Sequence, residues 1–411
     1  MANFPTSPDR PDEFSPRYFG WRVVAACFLV AVAAWGFGFY GHGVYLAELI
    51  RLKGWSSSLI SAATTVYYLF SALLIVFMND WITRFGPKYC VLFGIACFAL
   101  SACLLAFVES PWQLYAAYFV MAFGWAVMSI GGITNILGLW FETKRGFAIS
   151  LGLTGASFGA ILVVPSLIAL IDSFGFTKAL LFSTLTMVVI LVPITFLWIE
   201  APAAVSHTSA ALVSNSLDQT GSWTRSRALG SWAFWSVTLP FSLGWLAQAG
   251  FLVHQIALLE PVLGRTHAGF AVATTTAFSV IGGLTLGTVI DRLNQRLASV
   301  VALIVQAGAL FAMTLTSNAT FLFIACAAFG VWVRNLITFP SLIIQREFDA
   351  PSFGMLIGLS TAICQFAFAF GPVVLGLMRD FTGGYFAALV LCIILNLIAA
   401  SIVIFRPKAV V

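Results

Sequence analysis

One arginine inside a long apolar stretch of this chain gives the first indication of chemistry. Arg334 lies in the segment GVWVRN, residues 330–335, eleven residues before Gln345. At about 1.5 Å per helical residue this separation is about 16 Å, farther than an arginine side chain reaches along a helix. One interpretation is that an anionic substrate binds Arg334 through two of its guanidinium nitrogens. Hydrogen bonds to backbone carbonyls freed near Pro340, or a water-filled cavity, are the alternatives.

Two histidines are candidates for proton coupling. His42 and His254 share the spacing F-x-x-H-x-x-x-L-x-E, in residues 39–48 and 251–260. Imidazole takes up a proton near physiological pH, so either side chain could couple substrate movement to a proton gradient. The alternative is a neutral imidazole that hydrogen-bonds within its own helical bundle.

Other polar residues inside apolar stretches could orient a ligand, or could hold helices together by hydrogen bonds. Together with the arginine they form the predicted substrate-binding set: Arg334, Asn335, His254, Gln248, Tyr40, Tyr67, Asn135 and Gln365. The seven cysteines have no metal-ligand spacing, and no phosphate-binding loop or nucleophile cluster is present in the sequence. We therefore expect no cofactor, no metal and no enzymatic activity.

The elements that must position these residues are membrane helices. Hydrophobic residues make up 61% of the 411 residues and charged residues only 9%. Twelve apolar runs have the length, about 20 residues, that a helix needs to cross a bilayer. The sequence predicts an all-α membrane protein with a tail at 1–19, six helices in 20–200, a linker at 201–230, six helices in 231–405 and a tail at 406–411.

The basic residues indicate orientation. With both termini in the cytoplasm, fourteen Lys and Arg residues fall on the inner side and five on the outer side. We therefore predict cytoplasmic termini and a cell membrane, favouring a bacterial inner membrane. The basic residues behind the net charge of +5 are scattered over helix ends. We therefore expect membrane lipids and not nucleic acid as partners. We also expect the protein to work as a monomer.

Two related loops connect the halves of the chain to a family. Residues 79–88 read NDWITRFGPK, and residues 287–296 read GTVIDRLNQR, which fits G-x-x-x-D-R-x-x-x-R. The second pattern resembles the loop signature of the major facilitator superfamily. The sequences FGWRVV at 19–24, GWS at 54–56 and WFETKRG at 140–146 resemble its monocarboxylate transporter and oxalate:formate antiporter branch. The resemblance implies two pseudo-symmetric six-helix bundles, and a gating loop of Arg84, Gly86, Lys88, Gly287, Asp291, Arg292 and Arg296.

The resemblance and the residues together predict a secondary transporter that works by alternating access. A small organic anion, favouring a monocarboxylate, is the expected substrate, with proton coupling. An efflux carrier for a larger amphipathic compound and a non-transporting sensor are the alternatives. The chain departs from the branch at three places: Thr83 replaces an acid, residues 267–289 contain no Arg, and residues 353–378 contain no Lys.

Overall fold

The computed structural model describes residues 13, 15, 17–200, 223–287, 293–349 and 352–405. This part of the chain is helical and contains no strand. Twelve helices are long and apolar enough to cross a membrane, as the sequence predicts. We number them as spans 1 to 12: Gly20–Lys53, Ser57–Ile75, Pro87–Ala106, Pro111–Trp140, Arg145–Phe174, Phe176–Trp198, Trp232–Leu263, Arg265–Leu286, Gln295–Leu315, Ala319–Glu347, Phe353–Thr382 and Phe386–Val403.

Local sequence sets where several spans begin. The side chains of Ser56, Asn294 and Asn318 accept hydrogen bonds from the first free backbone N–H groups of spans 2, 9 and 10. Gly86 has a φ of 81°, a conformation that favours glycine. It turns the chain from the short helix Met78–Phe85 into span 3, which Pro87 opens.

The two halves pack in the same way. Span 1 contacts span 5 and span 3 contacts spans 4 and 6, just as span 7 contacts span 11 and span 9 contacts spans 10 and 12. Spans 2 and 4 correspond likewise to spans 8 and 10. The structure is therefore two pseudo-symmetric bundles, spans 1 to 6 and spans 7 to 12.

Within the described residues, the contacts between the bundles concentrate on one side. We call the side where span 1 begins and span 12 ends the terminal face, and the opposite side the distal face. The inter-bundle contacts join spans 2 and 11, the distal half of span 1 and span 7, and the distal half of span 5 and span 8. The segments nearest the terminal face, such as Gly20–Trp35 and Arg145–Leu153, pack mainly within their own bundle. A cleft between the bundles therefore opens to the terminal face.

Spans 1 and 5 are irregular where they touch. Each contains a five-residue π-helical segment, Gly36–Tyr40 and Gly159–Val163. A Cβ at Gly155 would lie 2.1 Å from the Phe28 carbonyl oxygen, and one at Gly159 would lie 2.6 Å from that of Val32. The glycines let the two backbones approach closely.

Candidate functional site

Arg334 lies half-buried in the terminal half of span 10. Its aliphatic stem covers Gly283 of span 8, where a Cβ would lie 2.6 Å from Arg334 Cδ. Within the described part of the chain, its guanidinium makes no hydrogen bond or ion pair. An unpaired cation at this depth is costly unless water or a ligand reaches it.

The exposed positions of span 10 show which side Arg334 occupies. Near the distal face the exposed side chains are Phe321 and Ile324, which border a groove against span 9. In the terminal half a second side of the helix is also exposed or half-buried, and it carries more polar side chains: Arg334, Ile337, Thr338, Ser341 and Gln345. Because charged and polar side chains are costly against lipid, we infer that this second side faces the cleft between the bundles.

The carbonyl freed by Pro340 is already occupied. Proline has no N–H, so the carbonyl of Leu336, four residues earlier, lacks its helical donor. The indole Nε1 of Trp245 in span 7 donates to that oxygen at 3.1 Å. Within the described residues this arrangement argues against the alternative that Arg334 serves the broken turn of its own helix.

Aromatic rings connect the bundles at the closed end of the cleft. Phe368 of span 11 lies 6.0 Å from Phe39 of span 1, with the rings inclined by 20°, and 5.4 Å from Tyr68 of span 2. Trp245 lies 6.5 Å from the same Phe368 ring, and Trp125 of span 4 lies 6.3 Å from Phe39. Trp245, which also bonds span 10, therefore joins the neighbourhood of Arg334 to this ring cluster.

The structure divides the other predicted ligand-orienting residues into two groups. Gln365 is exposed, and Tyr40 and Asn135 are half-buried, so these three stay in the candidate site, although the Asn135 amide already donates to the Gly131 carbonyl at 2.9 Å. Gln248, Asn335 and Tyr67 are buried inside their bundles and bond other groups. Their partners are, respectively, Gln306 at 3.2 Å, the Val331 carbonyl at 2.9 Å and the Gly38 carbonyl at 2.7 Å. These three side chains are better explained by hydrogen bonds between or within helices than by ligand binding, and we remove them from the candidate site.

His42 is fully buried within the first bundle. Neither ring nitrogen has a hydrogen-bond partner among the described residues, and the nearby Gly38 carbonyl accepts from Tyr67 instead. Four tyrosine rings surround the imidazole: Tyr67 at 4.6 Å, Tyr118 at 4.7 Å, Tyr68 at 5.8 Å and Tyr45 at 6.0 Å.

His254 is equally buried but lies in the seam between the bundles. Its Nε2 lies 2.9 Å from the Pro372 carbonyl of span 11 and 3.0 Å from Ser61 Oγ of span 2, and its Nδ1 lies 3.0 Å from the Tyr385 hydroxyl. His42 and His254 occupy matching places in the sequence, yet only His254 contacts both bundles through hydrogen bonds in the described structure.

The distal seam contains a helix cap that spans the two bundles. The carboxylate of Asp380, near the end of span 11, accepts from the backbone N–H groups of Ser57 and Ser58 at 3.1 and 2.7 Å. These groups open span 2, where the helix dipole favours an anion. Gly376, one turn away, lets the helices touch, since a Cβ there would lie 2.9 Å from Ser61 Oγ.

An ion-pair cluster closes another part of the same seam. Arg265, at the start of span 8, pairs with the buried Glu48 of span 1 and lies 3.0 Å from Asp172 of span 5. Glu48 also accepts from Arg51 at 2.8 Å. Sequence reasoning missed both contacts across the bundles: that of Asp380 with the start of span 2, and that of Arg265 with Glu48 and Asp172. Charged residues at helix ends were the available signal.

The gating loop is partly described. Asp291 and Arg292 lie outside the described residues. Arg296 is buried, with its Nε and Nη2 each 2.8 Å from Glu347, and it donates further to Ser236 and to the Val403 and Phe405 carbonyls. In the first bundle, Lys88 pairs with Glu200 at 2.9 Å. Both basic residues therefore tie the start of one span to the end of another within their own bundle.

The Arg296 network predicts a stability effect. Replacing Arg296 with glutamine removes a bidentate ion pair and the donors to Ser236 and to the Val403 and Phe405 carbonyls, and leaving buried acceptors without a donor costs about 1–3 kcal/mol. We expect a large drop in the thermal unfolding temperature of the purified protein. Lys88→Gln is the matched control, because its partner Glu200 is 53% exposed and exposed pairs contribute about 0–1 kcal/mol. Equal unfolding temperatures for the two variants would contradict this assignment.

Within the predicted tail at 1–19, Glu13 contacts the segment just before span 5. Glu13 accepts from the backbone N–H groups of Glu142, Thr143 and Lys144 at 2.8, 3.1 and 2.8 Å, just before span 5. Partial burial alone would raise the pKa of the Glu13 carboxyl, but these donors and the Lys144 charge outweigh it and hold the pKa below its ordinary value.

Comparison with known proteins agrees with this architecture. The family model described as Major Facilitator Superfamily matches residues 26–333. The chain belongs to the major facilitator superfamily. It is therefore a multi-pass membrane transporter and not an enzyme.

Two superfamily relatives and one solved structure illustrate the similarity. The chain is 24% identical to the MFS-type transporter YcxA of Bacillus subtilis (strain 168) over 353 residues, covering 82% of this chain and 83% of the relative. It is 22% identical to monocarboxylate transporter 12 of Rattus norvegicus, covering 91% and 82%. A bacterial homologue of the human lysosomal transporter Spinster, solved in an inward-facing and unoccupied conformation, aligns with a TM-score of 0.70 at 14% identity, covering 95% and 97%. The structural likeness supports the fold alone.

Proposed function

We propose that this superfamily member transports a small organic anion, with a monocarboxylate as its substrate class, and that Arg334 binds the anion. The observation that carries the proposal is the half-buried guanidinium of span 10, which has no protein partner among the described residues. It lies on the more polar side of the helix, which we infer faces the cleft. A carboxylate supplies the missing charge and two acceptors for the guanidinium fork. The similarity to a monocarboxylate transporter supports the same substrate class.

A single cation favours a monoanion over a dianion. Span 8 carries no arginine beyond Arg265 at its distal end, and the one basic residue of span 11, Arg379, lies beside Asp380 at 3.4 Å. Tyr40, Asn135 and Gln365 provide neutral hydrogen-bonding groups that could orient the rest of the substrate.

The positive charges indicate the side of the membrane to which the cleft opens. If the termini are cytoplasmic, as the positive charges predict, the terminal face is the inner face and the structure represents an inward-open state. The distal seam is then the outer gate. We place the protein in a cell membrane, favouring a bacterial inner membrane, with both termini in the cytoplasm.

A ligand screen tests the proposed substrate class. A ligand that binds the native state raises the thermal unfolding temperature, by an amount that grows with its concentration above Kd. We expect monocarboxylates to raise the unfolding temperature of the purified protein, and neutral amides of the same shape to leave it unchanged. A response to the amides equal to that of the acids would contradict anion binding.

Proton coupling gives a separate prediction. If His42 or His254 carries the coupling proton, uptake should rise as the external pH falls through roughly 6.5, the range in which histidine titrates. The double variant His42→Gln, His254→Gln should lose that dependence while anion exchange continues. Uptake of labelled substrate into proteoliposomes at several external pH values measures it, and an unchanged pH profile in the double variant would exclude both histidines.

A further inference from the structure

The contacts of His254 separate it from His42. His42 lies inside one bundle, whereas His254 of span 7 reaches Ser61 of the other bundle and Pro372 and Tyr385 of its own. Bundles move largely as rigid bodies during alternating access. Of these two histidines, only His254 has hydrogen-bond partners in the described structure that must separate when the distal seam opens.

The partners define which form of the imidazole fits the closed seam. The Pro372 carbonyl can only accept, so Nε2 carries the hydrogen and Nδ1 accepts from the Tyr385 hydroxyl. Ser61 Oγ, at 3.0 Å from Nε2, can share the same hydrogen from the opposite bundle. A single neutral tautomer therefore satisfies both ring nitrogens.

A second proton disrupts this arrangement. It would occupy Nδ1, force the Tyr385 hydroxyl to accept instead of donate, and place an imidazolium in a site with 1% exposure.

The surrounding charges compensate poorly. The charged groups that face His254 are Arg379 and Asp380 of span 11, and the titratable group is Tyr385. Arg379 lies over the Tyr385 ring at 5.5 Å, and the Asp380 carboxylate is engaged by the N–H groups of span 2. From the other bundle, span 2 presents the neutral Ser61 and span 1 presents Gly43, which packs on the Val253 carbonyl.

We propose that His254 is a proton-operated latch of the outer gate: the neutral ring holds the distal seam closed, and protonation from the outer side releases it. This inference rests on the proposed proton-coupled transport cycle and assigns the proton-binding step to one residue. In the open state the seam is wet, so the imidazolium is solvated, and closure requires that the proton leave. Acidic external medium therefore favours the outward-open state that would receive the anion.

A distance measurement without substrate tests the latch. Spin labels at Phe107 and Leu315, exposed at the distal ends of spans 3 and 9, report the separation of the bundles at the distal face. The labelled cysteines are introduced after the seven native cysteines are replaced. In the wild type, the ratio of the long to the short distance should rise as the pH falls from 8 to 5, by at most tenfold per pH unit for one proton.

Three variants make the result specific. His254→Gln can donate to Pro372 and accept from Tyr385 but cannot take a proton, so its ratio of the long to the short distance should no longer change with pH. His42→Gln is the matched control and should respond like the wild type. Ser61→Ala should increase the fraction of molecules at the long distance at pH 8, because the neutral ring loses its partner in the opposite bundle.

The outcomes separate this proposal from the proposed substrate. A wild-type pH response in His254→Gln, or its loss in His42→Gln alone, would overturn the latch. So would a wild type whose distance does not change with pH. None of these measurements uses an anion, so a protein that binds no carboxylate but keeps a His254-dependent pH response would refute the substrate class and leave the latch standing.

Discussion

Replacing Arg334 with glutamine is expected to weaken binding of the anionic substrate by at least about 100-fold. A bidentate, charge-assisted pair contributes about 3 kcal/mol or more, and each 1.4 kcal/mol corresponds to tenfold in Kd. Arg334→Lys keeps the charge but loses the planar fork, so we expect an intermediate loss of about tenfold. Titration of the purified variants with a monocarboxylate, followed by unfolding temperature or calorimetry, measures both.

The variants should fold, because Arg334 makes no ion pair within the described structure that its removal would break. The unfolding temperature without ligand should therefore stay at or above that of the wild type. Lys53→Gln is the matched control, since it removes an exposed cation at the distal end of span 1. Wild-type affinity in Arg334→Gln, or an equal loss in Lys53→Gln, would show that this guanidinium does not bind the substrate.

Replacing Gly376 with valine is expected to reduce transport at least about tenfold by preventing closure of the distal seam. A Cβ at this position would lie 2.9 Å from Ser61 Oγ and 3.0 Å from both the Ser57 carbonyl oxygen and Ser58 Cα of the opposite bundle. Two of these atoms belong to backbone and cannot rotate away. The same spin-label pair at the distal face should then report mainly the long distance, whatever the pH.

Gly358→Val is the control on the same helix. Gly358 lies in the terminal half of span 11, and a Cβ there would meet no atom within 4 Å in the described structure. The Gly358→Val variant therefore has the same change in helix propensity as Gly376→Val, without the steric clash. If both variants transport equally well, close contact at Gly376 is not needed for the transport cycle.

The fold was predictable from sequence because each element carries its own signal. Apolar runs of bilayer length specify twelve helices, and the paired loops at 79–88 and 287–296 specify the repeat. The spacing of Gly155 and Gly159 is typical of close helix packing, but it does not identify span 1 as the partner. The π-helical segments had no sequence signal, since they depend on how Gly36 and Gly159 fit together.

The candidate site was predictable only in part. The depth of Arg334 in the membrane could be predicted from its distance to the helix end, and the need for a partner followed from that depth. The orientation of Gln248, Asn335 and Tyr67 could not be predicted, because a polar residue in an apolar helix can turn toward a cleft or into its bundle. The seam contacts of Asp380, Arg265 and His254 join residues far apart in sequence, and helix periodicity carries no information on such pairs.

Counterflow of a labelled monocarboxylate in proteoliposomes tests the central claim most directly. Vesicles loaded with unlabelled acid should accumulate external label transiently when they contain the wild-type protein, because an alternating-access carrier exchanges its substrate across the membrane. Vesicles with Arg334→Gln should show no accumulation, and those with Lys53→Gln should behave like the wild type. A wild type that binds the acid but gives no counterflow would identify a sensor, and undiminished counterflow with Arg334→Gln would contradict the assignment of the anion to this arginine.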